Sequence, residues 1–531
     1  MEETFDFIIV GAGSAGCVLA NRLSADGTST VLLLEAGPRD RNPWIHIPLG
    51  YGKLFLDPRT NWGYTSEPEP HLNNRRIYNP RGKVLGGSSS INGLVYIRGQ
   101  AEDYEDWRAA GNPGWGWSDV LPYFKRAEDQ ARGADEWHGV GGPLSVSDTE
   151  PHPLCDTFID AAEQTQVRRN PDFNGATQDG AGYYQLTVRR GRRASTARAY
   201  LRPALRRPNL RVLTDALTTR VLFEGQRATG VEFRHRGRLT TVRARREVIL
   251  SAGAIATPPL LQRSGVGPAD VLRRLGVTPV LAADGVGRNY HDHLQARLVL
   301  RCTQRITLND DMQSLWRKLA LGLRYALFRT GALTIGAGYG GGFFRTPVAD
   351  DHRPDIQCHF ITFSVNRMGE ALHPFSGFTV SSCQLRPESR GEVMATSPDP
   401  DAPPAIRANF LAAEKDRRVQ VEGLKLMRRI LAAPALRPLI AKEEDPGPGV
   451  SSDPDLLAFI RDRGSTIYHP CGTCRMGSDA HAVVDPRLKL RGVEGLRIVD
   501  ASVIPAVPSG NINAAVIMIA EKASDMILVG S

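Results

Sequence analysis

The segment TIYHPCGTCRMG, residues 466–477, places His469, Cys471 and Cys474 within six positions. Three chemistries use such residues: zinc binding, dithiol exchange, and proton transfer by the histidine alone. A structural zinc site needs four ligands, but no second pair follows, since His481 stands alone. A redox C-x-x-C pair normally opens a helix in a thioredoxin-like setting, which is absent here. The segment therefore predicts no metal, cysteines packed as small apolar side chains, and an imidazole able to accept a proton near neutral pH.

A second cluster of polar residues, NYHDHLQ, contains His291, Asp292 and His293 and has the residue types of a metal site. Adjacent residues point to different faces of a strand or helix, so the three side chains cannot converge on one ion. We expect this cluster to be structural.

The elements that position such chemistry begin at the N-terminus, in FDFIIVGAGSAGCVLANRLSADGTSTVLLLEAG. The pattern predicts a buried strand, a tight turn with Gly11, Gly13 and Gly16 in G-x-G-x-x-G spacing, a helix, and a second strand ending in Glu35. The glycines allow a pyrophosphate to approach the helix N-terminus, and the carboxylate suits ribose hydroxyls. This predicts dinucleotide binding and leaves NAD and FAD open. A second loop, with Gly86, Gly87 and serines 88–90, also offers bare amides to a pyrophosphate.

Bulk properties limit the remaining possibilities. A chain of 531 residues predicts at least two domains, and 41% hydrophobic residues are typical of a globular protein. The sequence contains no apolar run long enough to span a bilayer and no secretory signal, and its seven cysteines are scattered, so we expect a cytoplasmic location. The net charge of +9 is densest in the arginine-rich residues 189–211, which predicts a solvated surface and no nucleic-acid partner, with peripheral attachment at the inner membrane as the alternative.

Two segments resemble the signatures of a known family. GKVLGGSSSIN, residues 82–92, and GAIATPPLLQRSGVG, residues 253–267, are similar to those of the glucose–methanol–choline (GMC) oxidoreductases, as are HPCGTCRMG and the C-terminal segment from residue 483. Closest are bacterial choline-dehydrogenase-like and aliphatic alcohol dehydrogenases. The resemblance implies an α/β fold, with a Rossmann-like FAD-binding domain (residues 1–155, 210–300 and 465–531) and an interleaved antiparallel-sheet substrate domain (residues 156–209 and 301–464).

The resemblance also implies the residues that contact FAD. Family members that attach FAD covalently carry a histidine at the position of Ile91, so we expect non-covalent FAD. The implied cofactor-binding residues are Gly11, Gly13, Ser14, Ala15, Gly16, Glu35, Ala36, Trp62, Gly86, Gly87, Ser88, Asn92, Gly93, Leu94, Val95, Val221, Asp500 and Ala501.

The catalytic pair implied by the resemblance is His469, as the base that takes the hydroxyl proton of an alcohol, and Asn513, 44 residues later, as its partner. The implied substrate pocket contains Tyr339, His359 and Tyr468. Several choline-active relatives carry a glutamate where Tyr339 stands, so we expect an uncharged primary alcohol, aliphatic or aryl, rather than choline.

Other functions in this family stay open at this point. They are choline dehydrogenation, alcohol oxidation by O₂, a non-redox lyase that keeps FAD, and a light-driven decarboxylase. The expected electron acceptor is a quinone or O₂. The sequence does not predict the oligomeric state.

Overall fold

The computed structural model describes residues 3–367 and 369–529. Within them the chain builds two large sheets, each of seven strands. The first sheet has a mainly parallel half, in which Thr4–Val10 lies between Val31–Leu34 and Arg238–Leu250, and an antiparallel half that continues from the same long strand. Its strands are Thr4–Val10, Val31–Leu34, Leu210–Leu213, Ala216–Glu224, Arg227–His235, Arg238–Leu250 and Leu496–Ile498.

The first sheet follows directly from the apolar runs at the N-terminus. All four residues of Val31–Leu34 are buried, as are Phe7 to Val10, so these strands are covered on both faces as parallel strands require. Helix Ser14–Leu23 connects them and packs against the C-terminal helix Asn513–Val529. The N-terminal fingerprint therefore lies at the carboxyl edge of the sheet.

The second sheet is antiparallel throughout. In spatial order its main path is Ile440–Asp445, Leu294–Cys302, Gly377–Gln384, Ile356–Ile361, Gly340–Phe344 and Gly180–Tyr183, and Ser465–Thr466 pairs with Leu294–Cys302. The predicted domain boundary at residue 300 cuts through Leu294–Cys302, because that strand pairs along its length with Gly377–Gln384. Residues 294–300 therefore belong with the second sheet. The rest of the predicted division stays a prediction.

The remaining elements surround the two sheets. The α-helices are Ser14–Leu23, Pro43–His46, Tyr51–Leu54, Ala101–Ala109, Trp117–Ala127, Pro153–Gln164, Arg202–Ala204, Thr257–Arg263, Ala269–Leu275, Leu308–Gln313, Leu315–Phe328, Glu414–Leu431, Asp453–Arg463 and Asn513–Val529. The short strands are Tyr64–Thr65, Tyr78–Asn79, Glu128–Gln130, Leu144–Val146, Val188–Arg189, Arg192–Arg193, Val266–Gly267, Leu281–Ala282, Glu392–Met394 and Ala405–Arg407. In the described residues no helix combines the length and the apolar character that crossing a bilayer requires.

Candidate active site

A cavity of about 730 Å³ lies where the two sheets meet. One end is lined by both glycine-rich segments and by the end of strand Val31–Leu34. The other end is lined by strands Leu294–Cys302 and Ile356–Ile361 of the second sheet and by the loop that carries His469. The elements predicted to bind a nucleotide and the predicted base therefore face one space.

The nucleotide end owes its shape to the glycines. Gly11 has φ +98°, which favours glycine, and a Cβ on Gly16 would lie 1.9 Å from the Gly11 carbonyl oxygen. This tight turn places the N-terminus of helix Ser14–Leu23 in the wall of the cavity. No side chain caps that N-terminus at Gly13. The Glu35 carboxylate accepts hydrogen bonds of 2.9 Å from the backbone N–H groups of Ala12 and Gly37. Burial raises the pKa of Glu35 to about 7.

The second glycine-rich segment packs directly on the first. Gly87 has φ +52°, and a Cβ there would lie 2.7 Å from the Gly13 Cα. The Ser14 hydroxyl donates a 2.7 Å hydrogen bond to Oδ1 of Asn513, which joins the fingerprint helix to the C-terminal helix. Ser251 lines the same end, and its hydroxyl oxygen is buried without a partner. The site therefore presents backbone amides and an unpartnered hydroxyl to whatever occupies it.

Most of the residues expected to contact FAD line this cavity. They are Gly11, Gly13, Ser14, Ala15, Glu35, Ala36, Trp62, Gly87, Ser88, Asn92, Gly93, Leu94, Val95, Asp500 and Ala501. Three others are absent from the described lining. Gly16 faces the Gly11 backbone, Gly86 faces Ser90 and Ala197, and Val221 is buried in the core of the first sheet. The contact of Val221 with FAD stays a prediction, and the same strand contributes residues 216–218 to the lining.

The carboxylate of Asp292 fixes the loop that carries His469. Asp292 accepts a hydrogen bond from the backbone N–H of His469 at 2.8 Å and from the Thr466 hydroxyl at 2.5 Å. Tyr468 has φ +72°, a conformation that costs a non-glycine residue energy and persists because the loop is fixed at both ends. Arg81 contributes by donating to the Tyr468 carbonyl at 2.7 Å. Burial raises the pKa of Asp292 to about 6.

The protonation of His469 is determined by its neighbour His293. Nε2 of His293 lies 2.9 Å from the carbonyl oxygen of Leu385, which can only accept, so that nitrogen carries the proton. Burial lowers the pKa of His293 to about 4, which leaves its Nδ1 as an acceptor. Nδ1 of His469 lies 3.0 Å from this atom and must donate to it. Burial, and then Coulomb interactions with His293, His359 and Arg81 that disfavour a second proton on the ring, hold the pKa of His469 well below its usual range. Its Nε2 is therefore an unprotonated acceptor.

The side chain in contact with this Nε2 belongs to Asn511. Its Nδ2 lies 3.1 Å from Nε2 of His469, and its Oδ1 accepts a 3.1 Å hydrogen bond from the Gln357 amide. The Gln357 contact fixes which end of the Asn511 amide faces the histidine. Asn513, the expected partner, lines the same cavity but bonds to Ser14 rather than to His469. The structure therefore places two asparagine side chains at the site where one was expected.

Two of the three expected pocket residues line the substrate end. His359 is buried there, with its ring stacked on that of Tyr184 at 5.4 Å, and burial followed by the positive charge of Arg297 lowers its pKa to about 3. Tyr468 lines the cavity with an edge contact to Phe55 at 5.3 Å. Tyr339 is absent from the described lining, because its ring packs in the core against His152, with ring centroids 5.3 Å apart. Its expected place in the pocket is thus wrong.

An arginine that was not among the expected site residues lines the pocket on the same sheet as His359. Arg297 and His359 pair with the same residue, Ser381, on the strand between them, so all three point to one face of the second sheet. Nε of Arg297 is buried without a hydrogen-bond partner, and no carboxylate in the described residues pairs with this guanidinium. The pocket therefore contains an uncompensated positive charge.

The remaining cysteines and polar clusters do not form a metal site. Cys471 and Cys474 are fully buried in the core of the first sheet, as free thiols whose pKa values are raised by burial. In residues 3–367 and 369–529 no group of three or more His, Cys, Asp or Glu is placed to hold a metal ion. His291 turns away from His293 and accepts a hydrogen bond from the Val507 N–H at 2.8 Å.

Comparison with known proteins assigns the chain to a family. Its sequence matches two models described as GMC oxidoreductase, one over residues 5–295 and the other over residues 387–520. The chain belongs to the GMC oxidoreductase family. The predicted family is confirmed, and this GMC oxidoreductase is an FAD-dependent alcohol dehydrogenase or oxidase.

Individual relatives agree with this assignment. An alcohol dehydrogenase (acceptor) of Pseudomonas putida is 44% identical, over 99% of this chain and 96% of its own length. A mitochondrial choline dehydrogenase of Mus musculus is 45% identical, over 99% and 90%. A pyridoxine 4-oxidase of Mesorbium loti superposes with a TM-score of 0.88 at 31% identity, over 98% of both chains. A formate oxidase variant of Aspergillus oryzae superposes with a TM-score of 0.94 at 27% identity, over 100% and 99%. These structures confirm the predicted mixed α/β fold.

The cavity of this GMC oxidoreductase fits FAD. The uncapped start of helix Ser14–Leu23 and the contact of Gly87 with Gly13 leave a path lined by backbone N–H groups, which suits a pyrophosphate. Glu35 lies at the end of the second strand, where a ribose would be bound. Residues 92–95 and His469 line the same cavity and would hold the flavin ring.

Proposed function

We propose that this enzyme oxidises an uncharged primary alcohol, aliphatic or aryl, to its aldehyde, with His469 as the base. The observation that carries the proposal is the orientation of His469. Its Nδ1 donates to His293, so Nε2 carries the lone pair and accepts an N–H of Asn511 in the wall of the cavity. When bound, FAD supplies the acceptor for the hydride at its N5 atom. A neutral imidazole near that position can remove the hydroxyl proton.

Two amide groups are available to hold the alcohol oxygen. Oδ1 of Asn513 is occupied by Ser14, which leaves its Nδ2 for donation. Oδ1 of Asn511 is occupied by Gln357 and one N–H of its Nδ2 is directed at His469, which leaves the second N–H for donation. Donors directed at the oxygen stabilise the charge that develops as the proton leaves. In our proposal Asn513 keeps the role of partner that the sequence suggested, and Asn511 acts with it. Their contacts also orient the reacting C–H bond.

The charge of the pocket supports a substrate without a cationic group. Four carboxylates line the cavity, Glu35, Glu67, Asp401 and Asp500. Each has its contacts with residues outside the second sheet: backbone amides or a hydroxyl for Glu35 and Asp500, and arginine side chains for Glu67 and Asp401. The charges beside His469 and His359 are those of Arg81 and Arg297, and no carboxylate in the described residues forms an ion pair with either. A trimethylammonium group there would meet a like charge in a site of low dielectric constant. Choline dehydrogenation is therefore the second candidate, favoured by the relatives that carry that name.

The FAD is proposed to be held without a covalent bond. Ile91 is buried and lines the cavity immediately before Asn92, and its side chain offers no nucleophile. Acid precipitation of the purified protein should release all of the flavin into the supernatant. Flavin retained in the pellet would contradict this part of the proposal.

An anaerobic substrate screen tests the proposed reaction. Hexanol, benzyl alcohol and choline are each added to the enzyme under argon, and flavin absorbance is followed. We expect rapid bleaching by the first two and slow bleaching by choline. A non-redox lyase would not bleach with any of them, and a higher kcat/KM for choline would overturn the proposed substrate class. Readmitting air then distinguishes the acceptors, because peroxide release indicates an oxidase and its absence favours a quinone.

A further inference from the structure

One helix that follows strand Leu294–Cys302 leaves nearly all of its side chains exposed. Of the fourteen residues of Leu315–Phe328, here called the exposed helix, Tyr325 alone is buried. Six of its large apolar side chains are between 56% and 80% exposed: Leu315, Trp316, Leu319, Leu323, Leu327 and Phe328. Four of these leucines recur every fourth residue and form one continuous stripe. Since helices in proteins gain most of their stability by packing, this face lacks the surface it is built to contact.

The polar residues of the exposed helix are cationic. Its sequence, LWRKLALGLRYALF, contains Arg317, Lys318 and Arg324 and no acid, and Arg329 follows directly. Arg317 and Arg324 reach carboxylates outside the helix, whereas no carboxylate in the described residues pairs with Lys318 or Arg329. An apolar stripe bordered by basic side chains is typical of helices that lie in the plane of a membrane surface.

A depression beside the helix concentrates further positive charge. It has a volume of about 540 Å³, and its lining includes Arg189, Arg190, Arg198, Arg202 and Arg206. In the described chain none of these five forms an ion pair, and Nη1 of Arg198 is buried without a hydrogen-bond partner. Burial and then the neighbouring arginines lower the pKa of Arg198. Five guanidinium groups around one concave surface are suited to phosphate oxygens.

The exposed helix and this arginine depression form one surface. The Tyr325 hydroxyl donates a 3.1 Å hydrogen bond to the carbonyl of Gly191, which lies between arginines of the depression. A Cβ on Gly191 would lie 2.0 Å from the Arg329 carbonyl oxygen, so the two backbones touch. On its inner side, Leu321 packs against the cluster that contains Ile361, a residue of the cavity wall. The surface therefore lies outside the substrate end of the site.

We propose that this surface docks on a bilayer containing anionic lipids. The exposed helix lies at the boundary between headgroups and acyl chains, and the arginine depression binds headgroup phosphates. Charge complementarity favours this occupant over a second copy of the chain, since a two-fold contact would bring like charges together in a protein of net charge +9. Nucleic acid would satisfy the arginines but would leave six large apolar side chains in water. The docking does not depend on which alcohol is the substrate.

Vesicle flotation of the holoenzyme tests the proposal. The vesicles are phosphatidylcholine alone or phosphatidylcholine mixed with phosphatidylglycerol, and we expect binding to the mixed vesicles, weakened by added salt. Arg190→Gln/Arg202→Gln/Arg206→Gln should lower the partition coefficient by roughly 100-fold, because each cation near an anionic surface contributes about fivefold. Trp316→Ser/Leu323→Ser should lower it by at least about tenfold.

Matched controls come from another surface. Leu239→Ser removes a side chain that is 64% exposed, and Arg273→Gln removes an exposed charge from helix Ala269–Leu275, and both should bind vesicles as the wild type does. All variants should keep flavin absorbance and activity with a soluble dye. A second readout does not depend on loss of binding. Brominated lipid should quench the tryptophan fluorescence of the wild type more strongly than that of Trp316→Phe.

Three results would overturn the proposal. The first is equal binding of both surface variants and the wild type to mixed vesicles. The second is self-association of the wild type that Trp316→Ser/Leu323→Ser abolishes in the absence of lipid, which would make the surface a dimer contact. The third is duplex DNA binding tighter than vesicle binding and lost in the arginine variant.

Discussion

His293 and His469 meet Nδ1 to Nδ1 at 3.0 Å, although 176 residues separate them in the sequence. Each imidazole is neutral because it is buried, so one Nδ1 must donate and the other must accept. The Leu385 carbonyl decides the direction by fixing the proton of His293 on Nε2. As a result, Nε2 of His469 carries a lone pair in the wall of the cavity. His293 is thus a positioning residue for the proposed base.

Substitutions of His469 and His293 distinguish the role of the proposed base from the role of the positioning residue. His469→Gln should lower kcat/KM for the alcohol about 10²- to 10⁴-fold while flavin absorbance is retained, because the proton acceptor is lost. His293→Phe leaves Nδ1–H of His469 without its acceptor, which favours the tautomer protonated at Nε2, and we expect a loss of about tenfold to 100-fold with KM little changed. His293→Asn restores an acceptor oxygen and should recover part of that loss. Full activity in His293→Phe would contradict this arrangement.

The pH dependence of kcat/KM follows from the direction of the His469 pKa. Burial and nearby positive charge lower this pKa, so the imidazole binds a proton only below its usual range near 6.5. The active neutral form is therefore fully present above pH 6.5, and activity is lost as the pH falls through the lowered pKa. We expect a flat profile from neutral to moderately alkaline pH, with a single acid limb below 6.5 in the wild type. An acid limb at or above pH 7 would show that the base is another group.

The sequence was sufficient to predict the elements that depend on residues close together in the chain. The G-x-G-x-x-G turn, Glu35 at the end of the second strand and His469 in its loop each depend on residues close in the chain, and all line the cavity. His293 and Arg297 reach the site because strand Leu294–Cys302 pairs in one particular register, which a single sequence does not reveal. The H-D-H segment contained only part of the signal, since alternation along an extended chain separates Asp292 from its two neighbours but does not show that His291 and His293 contact different partners.

Tyr339 shows the limit of positional matching. It directly precedes strand Gly340–Phe344, and its backbone pairs with Tyr184 and Phe360 while its ring enters the core beside the second sheet. A displacement by one residue along a strand reverses the side that a side chain faces. No local pattern indicated that Arg297 would line the substrate pocket.

Substitution of Arg297 should change substrate preference according to charge. Arg297→Gln removes the positive charge, and we expect kcat/KM for choline to rise at least about tenfold, since a like charge across a poorly solvated pocket costs more than about 1 kcal/mol. Activity with hexanol should stay within about threefold, because an uncharged chain has no Coulomb interaction with this group. Arg407→Gln, on an exposed arginine paired with Glu392, is the control and should change neither. An equal change for choline and hexanol would indicate a general packing effect.

The two asparagines should differ in their contribution. Asn511→Ala removes the donor next to Nε2 of His469 and frees the Gln357 amide, so we expect a loss of about 10²-fold in kcat with substrate affinity largely kept. Asn513→Ala also breaks the contact with Ser14 at the nucleotide end, so it should weaken FAD retention as well as lower kcat. Single-turnover flavin reduction and flavin content after dialysis measure the two effects separately. Loss of FAD from Asn511→Ala but not from Asn513→Ala would reverse the assignment.

Gly16 provides a test of the nucleotide end that is independent of the chemistry. A Cβ at this position would lie 1.9 Å from the Gly11 carbonyl oxygen, and both partners are backbone groups that cannot rotate away. Gly16→Ala must therefore separate the helix from the turn, and we expect a loss of more than about 3 kcal/mol of unfolding free energy together with loss of FAD. Gly449→Ala is the matched control, because nothing lies within 4 Å of the added Cβ and the melting temperature should not fall. Thermal unfolding measures the stability of the two variants, and flavin fluorescence measures their FAD content. A Gly16→Ala protein that is as stable as the wild type and retains its flavin would contradict the packing of this turn.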